Sequence, residues 1–318
     1  MIIKELCISC LIKHDLCAIY GHMHMIVTGG YGFVGTPLCQ LLVQEGHRVT
    51  AIGTHFPSQE HKGITFIQSS LRPGEIPPVF ADCDAIIHLA GANIFHRWTP
   101  HYKQLILDSR IKTARAIYEF IAKQPKKPRV FISASAVGYY GDRAEELLDE
   151  TSSAGTGFLA STCIEWEKAR EKFSSLGIRS VSIRTGVVLG ENGGALAQML
   201  PLFRLGLGGK LGNGRQWFPW IHRDDLINIY SLALHDTSLS GPINAVAPQL
   251  IRNVEFTKAL GRTLKRVTFL AVPSFILRAI FGEMATLFLS SQKVKPTVLE
   301  QLNFVFKYPN IQTALKKT

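Results

Sequence analysis

Gly29, Gly32 and Gly35 recur at three-residue spacing in Thr28-Gly-Gly-Tyr-Gly-Phe-Val-Gly35, directly behind the apolar run 23–27. Glycines at this spacing let a backbone turn tightly and approach a charged ligand. The free N–H groups of a following helix, expected over 36–44, then face the negative charge. The chemistry is recognition of a dinucleotide pyrophosphate by Gly29, Gly32, Phe33, Val34 and Gly35, and the strand-and-helix context carries more weight than the glycines alone. A second group is aromatic. Trp98, Trp217 and Trp220, with Phe218, have the contact area to wall a flat, apolar ligand, and equally the bulk to pack two lobes together. His222 with Asp224 and Asp225 has the residue types of an acid–base set, although aspartates at a helix start more often cap it.

These residues need a scaffold. Short β-branched or apolar runs at 48–52, 64–68, 85–89, 130–133 and 180–184 alternate with helical patterns at 102–123 and 158–174. That alternation predicts an α/β fold, a doubly wound, Rossmann-type parallel sheet with helices on both faces. From 190 the regular alternation gives way to glycine- and aromatic-rich loops, the place where substrate is met in such folds. The expected organisation is an N-terminal extension over 1–22, a dinucleotide domain over 23–235 with a substrate loop at 190–222, and a smaller C-terminal lobe over 236–318. The lobe includes a short strand in Gly-Pro-Ile-Asn-Ala-Val and an apolar stretch, 275–289, that reads as a buried amphipathic helix.

With 318 residues, 46% of them hydrophobic, the chain can bury a full core. No apolar run reaches the ~20 residues that span a bilayer. The net charge of +11 is scattered, without an aromatic-interleaved basic stripe, so neither nucleic acid nor membrane is expected as a partner. Cys39, Cys83 and Cys163 lie apart in helix or strand contexts, as buried free thiols do, and a reducing cytoplasm fits. Cys7, Cys10, Cys17, His14, His22 and His24 have the donor types of a metal site, but their spacing matches no known finger and no metal is assigned. Met23 or Met25 would serve as an alternative start.

Beyond the glycine turn, the motifs IIHLAGANI followed by RW, DSRIKTAR, SASAVGYYGD, RTGVVLGENGG, GPINAVAP, VEFTKALGR and GEMATLFLSSQKVKP together resemble an extended short-chain dehydrogenase/reductase. Within it the chain is similar to the atypical epimerase family of bacteria and eukaryotes, sometimes labelled a bacterial cell-division inhibitor. The resemblance runs from about Met25 to the C-terminus. It implies bound NADP(H), an oxidoreductase or epimerase activity on a small molecule, and homodimerisation through two long helices. Leu89, Ala90 and Gly91 would lie beside the adenosine and ribose, Arg110 near the cofactor, and Val187 at the nicotinamide.

Gly53, Thr54 and His55 follow the second strand without an acid. NAD enzymes place a carboxylate there, so NADP(H) is favoured over NAD(H), with His55 as a donor or simply a loop histidine. The family's arginine is replaced by Thr54. Catalysis departs further. Where Tyr-x-x-x-Lys belongs the chain reads Phe158-Leu-Ala-Ser-Thr-Cys163, which lacks both the phenol and the ammonium. Ser135 occupies the serine region, and Tyr139 or Tyr140 could donate a proton from another direction. Packing with the hydroxyl on backbone is the alternative for both. A cofactor-binding sensor or scaffold without catalysis is the competing reading. The Arg that grips a sugar diphosphate is also absent before Phe218-Pro-Trp-Ile-His222, which argues against a nucleotide-sugar substrate.

Overall fold

The computed structural model describes residues 21–56, 59, 61–191 and 193–317. The expected extension, with Cys7, Cys10, Cys17 and His14, lies outside these except for its last two residues.

Seven parallel strands form the central sheet: β1 (His24–Thr28), β2 (Arg48–Gly53), β3 (Ile64–Gln68), β4 (Ala85–His88), β5 (Val130–Ala136), β6 (Arg179–Thr185) and an edge strand Gly241–Ala245. From that edge strand the spatial order is β6, β5, β4, β1, β2, β3. The strand order therefore reverses between β4 and β1, and the crevice at their carboxyl ends is the ligand position of such folds.

Every residue of β1 is buried, because helices cover both faces of a parallel sheet. Met25 and Val27 enter one apolar core with Leu38 and Leu42 of helix α1 (Gly35–Gln44) and Ile229 of a later helix. Ile26 points the other way, into a core with Ile117, Ile121 and Phe131, as the two-residue period of a strand requires. Helix α2 (Pro100–Ala122), capped by the Thr99 hydroxyl, supplies Ile117 and Ile121.

Three expectations are corrected. The 158–174 helix is α3 (Phe158–Glu171) followed by a 3₁₀ turn, Lys172–Leu176, closed by Gly177 in the left-handed region. The Gly-Pro-Ile-Asn-Ala strand was placed in the C-terminal lobe, yet it pairs in parallel with β6 and completes the main sheet, burying Ile243 and Ala245 in its core. The 275–289 stretch is not a buried helix. It breaks at Gly282, and its first part, Ser274–Phe281, keeps only Leu277 buried.

Further elements form the lobe above the crevice. They are β7 (Val187–Leu189), α4 (Gly194–Arg204), β8 (Gly209–Leu211), β9 (Trp220–His222), α6 (Asn253–Leu264), β11 (Leu270–Val272) and α7 (Ser274–Phe281), whereas α5 (Arg223–His235) packs in the main core and β10 is the edge strand Gly241–Ala245 of the main sheet. β7 pairs with β9, and β8 with β11. Leu196, Phe203, Trp220, Phe256 and Leu260 make the lobe's own core.

Candidate cofactor turn and catalytic region

The glycine turn is shaped by close approach. Gly29 has φ +71°, its amide donates to the Ile52 carbonyl at 2.7 Å, and its carbonyl accepts from the Gly32 amide at 2.9 Å. A Cβ at Gly35 would stand 2.1 Å from that same carbonyl, and one at Gly30 would stand 2.6 Å from Ala51 Cβ. Only glycine fits at both. Helix α1 opens at Val34 without a side-chain cap. Among the described residues, no hydrogen bond takes up the Phe33, Val34 or Gly35 amides. Donors at a helix start, joined to the positive end of its dipole, are what an anionic phosphate requires.

The neighbouring strand end closes on this turn. Leu89 and Ala90 donate to the Thr28 carbonyl and hydroxyl at 3.0 and 3.3 Å, and a Cβ on Gly29 would touch both residues. Arg110 supports the following loop. It donates to the Ala92 and Ile106 carbonyls, lies over the Trp166 ring, and leaves no room for a Cβ on Gly91, which would stand 2.9 Å from its Cζ. Burial draws its pKa down. At the end of β2, Gly53 is half-buried while Thr54 and His55 beyond it are exposed, with the Thr54 hydroxyl 2.8 Å from His55 Nδ1. Val187, half-buried in β7, donates to the Pro219 carbonyl. The Phe33 ring turns away from the turn. It lies against Gly190, Gly193 and Gly194 and under the Arg223 guanidinium, which fastens the substrate loop to the phosphate turn. The glycines at 190–194 were the available sequence signal for that contact.

Beneath the turn, His88 is fully buried between the Thr28 and Thr113 hydroxyls, at 2.8 and 3.2 Å. Burial pushes its pKa from 6.5 down to about 4. The imidazole therefore stays neutral in the fold while the unfolded chain takes up a proton below 6.5. Stability should fall as the pH drops from 6.5 towards 4, by on the order of 3 kcal/mol in total from this residue. Urea unfolding over that interval should show a shallower decline in His88→Asn, and equal slopes in the two proteins would refute the assignment.

The region of the expected catalytic residues differs from expectation. The Ser135 hydroxyl is already committed: buried, it donates to Glu167 Oε1 at 2.7 Å. Glu167 in turn holds Arg184 through both carboxylate oxygens, at 2.9 and 2.8 Å. The Tyr140 hydroxyl is spent on Asn244 and the Asp149 carbonyl, and burial raises its pKa to about 12. Ser135 and Tyr140 are thus members of one buried network. Tyr139 is half-buried, its ring lies 3.5 Å from Arg184 Cζ, and no hydrogen bond among the described residues uses its hydroxyl. Gly138, Leu159 and Cys163 meet closely: a Cβ on Gly138 would lie 3.3 Å from Leu159 Cβ and 3.8 Å from Cys163 Sγ. The spot is apolar, and burial raises the Cys163 thiol to about 12. Glu167 and Arg184 escaped the sequence reading because a charge inside a helix or strand pattern ordinarily marks a solvated face.

The three tryptophans separate. Trp220 is 1% exposed, donates to the Gln249 carbonyl and belongs to the lobe core, so it cannot wall a ligand. Trp217 is clasped between Arg252 and Lys293 and donates to Glu145. Trp98 packs on Phe158 in a cluster with Met284, beside Leu159, Phe281 and Phe288, and of the three it alone adjoins the Phe158–Cys163 segment. His222 is the N-cap of α5, accepting from the Asp224 amide. Asp225 accepts the Lys307 and Tyr308 amides. The helix start is thus capped by the histidine and not by an aspartate as expected, and the two aspartates anchor the C-terminal segment. One group among the described residues, Glu45, His47 and His235, brings metal-type donors within 4.8 Å, but its carboxylate is already engaged by Ser231 and His235. His24, one of the histidines of the N-terminal donor set, bonds Thr50 and the Asp82 carbonyl. Cys39, Cys83 and Cys163 are buried free thiols. No described helix is long and apolar enough to cross a membrane.

Comparison with known proteins agrees with this architecture. The model of the NAD dependent epimerase/dehydratase family matches residues 25–245, and a domain of unknown function matches 272–318. An Arabidopsis thaliana chloroplastic homologue of epimerase family protein SDR39U1 is 40% identical over 92% of this chain and 86% of its own length. YfhF of Bacillus subtilis, another epimerase family protein, is 36% identical over 93% and 97%. The structure superposes on human epimerase family protein SDR39U1, crystallised with NADPH, with a TM-score of 0.81 and 36% identity over 92% and 98% of the two chains. A Thermotoga maritima UDP-glucose 4-epimerase shares the fold at a TM-score of 0.77 but only 17% identity, over 93% and 97%. From its glycine turn to its edge strand, this chain belongs to the NAD dependent epimerase/dehydratase family, as an atypical member alongside the SDR39U1-like epimerase family proteins.

Proposed function

We propose that this chain binds NADP(H) at the β1–α1 turn and acts as an oxidoreductase or epimerase on a small molecule with an apolar body. The observation that carries the proposal is the set of unshared amides at Phe33, Val34 and Gly35, held where only glycine fits at Gly35. The NADPH bound by the human relative supports the phosphorylated coenzyme, as does the absence of an acid at Gly53-Thr54-His55. When bound, the nicotinamide supplies or accepts hydride. The chain's part is to hold the pyrophosphate at the α1 start, to seat the adenosine side against Leu89–Gly91 braced by Arg110, and to exclude water with Trp98, Leu159 and Phe281. The Tyr139 ring lies on the Arg184 guanidinium and its hydroxyl meets no hydrogen-bond partner among the described residues, which leaves the phenol open to a ligand. Tyr139 is therefore the proton donor of this reading, and Ser135 a positioning residue for Arg184. Pairing of two copies through α2 and α3, and residence in a reducing cytoplasm, belong to the same proposal.

A second reading has its own observation. The Gly138–Leu159–Cys163 contact puts apolar groups where the family's proton relay belongs, which favours a non-catalytic NADP(H) sensor or scaffold. NADPH oxidation with a panel of apolar aldehydes, ketones and enones separates the two. The enzyme reading expects stereospecific oxidation, with Tyr139→Phe slowed by roughly 100-fold or more while its NADPH affinity holds. Unchanged turnover in that variant removes Tyr139 from the chemistry. Tight NADPH binding without oxidation across the panel would favour the sensor.

A further inference from the structure

Three segments of the C-terminal lobe expose large apolar side chains on one surface. Leu202, Leu205 and Leu207 lie at and beyond the end of α4, Val267 and Phe269 before and at the approach to β11, and Phe275 and Ile280 on α7. Phe269, Leu205 and Phe275 are 78%, 73% and 70% exposed. The segments adjoin one another. Arg266 donates to the Arg204 carbonyl at 2.9 Å, β8 pairs with β11 from Gly209↔Leu270 onward, and α7 starts two residues after β11 ends. At on the order of 100 Å² per side chain, the exposed apolar area exceeds what a monomer ordinarily leaves uncovered.

The charge around this surface has one sign. The sequence contains no Asp or Glu between Glu191 and Asp224, nor between Glu255 and Glu283. The two acids that flank the second segment are engaged, Glu255 by the Arg252 amide and Glu283 by Lys103. Arg204, Arg262, Lys265, Arg266 and Arg278 are all exposed within these acid-free segments. Apolar side chains rimmed by uncompensated cations match the two layers of an anionic bilayer surface, acyl boundary and headgroup. A second copy of the chain is the poorer occupant. A two-fold contact presents the same patch from both sides, which would set these cations against one another.

We infer that this face of the C-terminal lobe, built from the end of α4, the β11 approach and α7, docks on anionic phospholipid membranes. Phe269, Phe275 and Leu205 enter the acyl boundary, while Arg262, Lys265 and Arg266 contact headgroup phosphates. The attachment is peripheral and reversible.

Co-sedimentation of the full chain with phosphatidylcholine vesicles, with and without phosphatidylserine, tests the inference. Binding is expected only with phosphatidylserine, and it should weaken as salt is raised. Phe269→Ser with Phe275→Ser, and separately Arg262→Glu with Lys265→Glu, should each reduce the bound fraction by roughly tenfold at limiting lipid. An unchanged unfolding midpoint and unchanged NADPH affinity would show that these variants remain folded. Absence of sedimentation with either vesicle overturns the inference, as does binding indifferent to phosphatidylserine. So would a dimer in solution that Phe269→Ser with Phe275→Ser dissociates, because the face would then be a self-interface.

Discussion

Gly35→Ala should reduce NADPH affinity by roughly 100-fold or more and lower the unfolding midpoint as well. The added Cβ would stand 2.1 Å from the Gly29 carbonyl and 2.8 Å from Gly30 Cα, far inside van der Waals contact. Both obstacles are backbone, so no side chain can swing aside. The turn must move, and with it the Phe33, Val34 and Gly35 amides. Charge-assisted hydrogen bonds contribute about 1.5–3 kcal/mol each, so the loss of two accounts for that change in affinity. Gly32→Ala is the control. Its Cβ would meet only the Gly29 carbonyl at 3.2 Å, and Gly32 does not have the positive φ of Gly29. That strain can be relieved by a few tenths of an ångström, so the affinity loss should be several-fold at most. Calorimetric titration of both variants decides the matter. Gly35→Ala binding within about twofold of wild type would mean that the pyrophosphate does not sit on this turn, whatever the ancestry of the chain.

The contrast between these glycines and the catalytic region explains which parts of the molecule were legible in the sequence. A turn followed by a helix is a local object. Gly29 to Gly35 carry its geometry within seven residues, and the strands around it announce themselves by apolar runs that a parallel sheet must bury on both faces. The strand positions were therefore readable, and their ends shifted by only a few residues. Side-chain direction was not. Ser135 and Ala136 are adjacent on β5 and point to opposite faces, so one residue decides whether a hydroxyl meets Glu167. Trp220 and Trp217 were read together as aromatic. One lies in the lobe core and the other in a cation clasp, because every residue of β9 is buried while Trp217 belongs to the loop before it. Gly241–Ala245 was assigned to the lobe since it follows the substrate loop in sequence. Its partner is β6, some 60 residues earlier, and such non-local pairing leaves no local mark. Glu167 and Arg184 were illegible for the same reason: each looks like a surface charge until the other is placed opposite.

That pair also supports the largest expected change in stability. Glu167 is 6% and Arg184 3% exposed, and two oxygens face two guanidinium nitrogens in the bidentate arrangement that suits arginine. Glu167→Ala leaves a buried guanidinium with Tyr140, the Glu150 carbonyl and ring faces, but no countercharge. A loss of about 3–5 kcal/mol is expected, which is a large share of the stability of a typical domain. Ser135→Ala removes only one hydroxyl from the same carboxylate and should cost about 1–2 kcal/mol. Replacing Glu167 and Arg184 together by methionine should be less damaging than Glu167→Ala alone, since the penalty lies chiefly in the uncompensated charge. Urea unfolding of the three variants gives these differences directly. If Glu167→Ala and Ser135→Ala cost the same, the carboxylate serves as a hydrogen-bond acceptor and the ion pair contributes nothing of its own. The unequal outcome would locate a rigid charged floor beneath Tyr139, joining β5, β6 and α3. A ring stacked on a guanidinium that cannot shift is itself held in place, and a fixed ring is what the proposed donor role of Tyr139, in place of the missing tyrosine–lysine pair, requires.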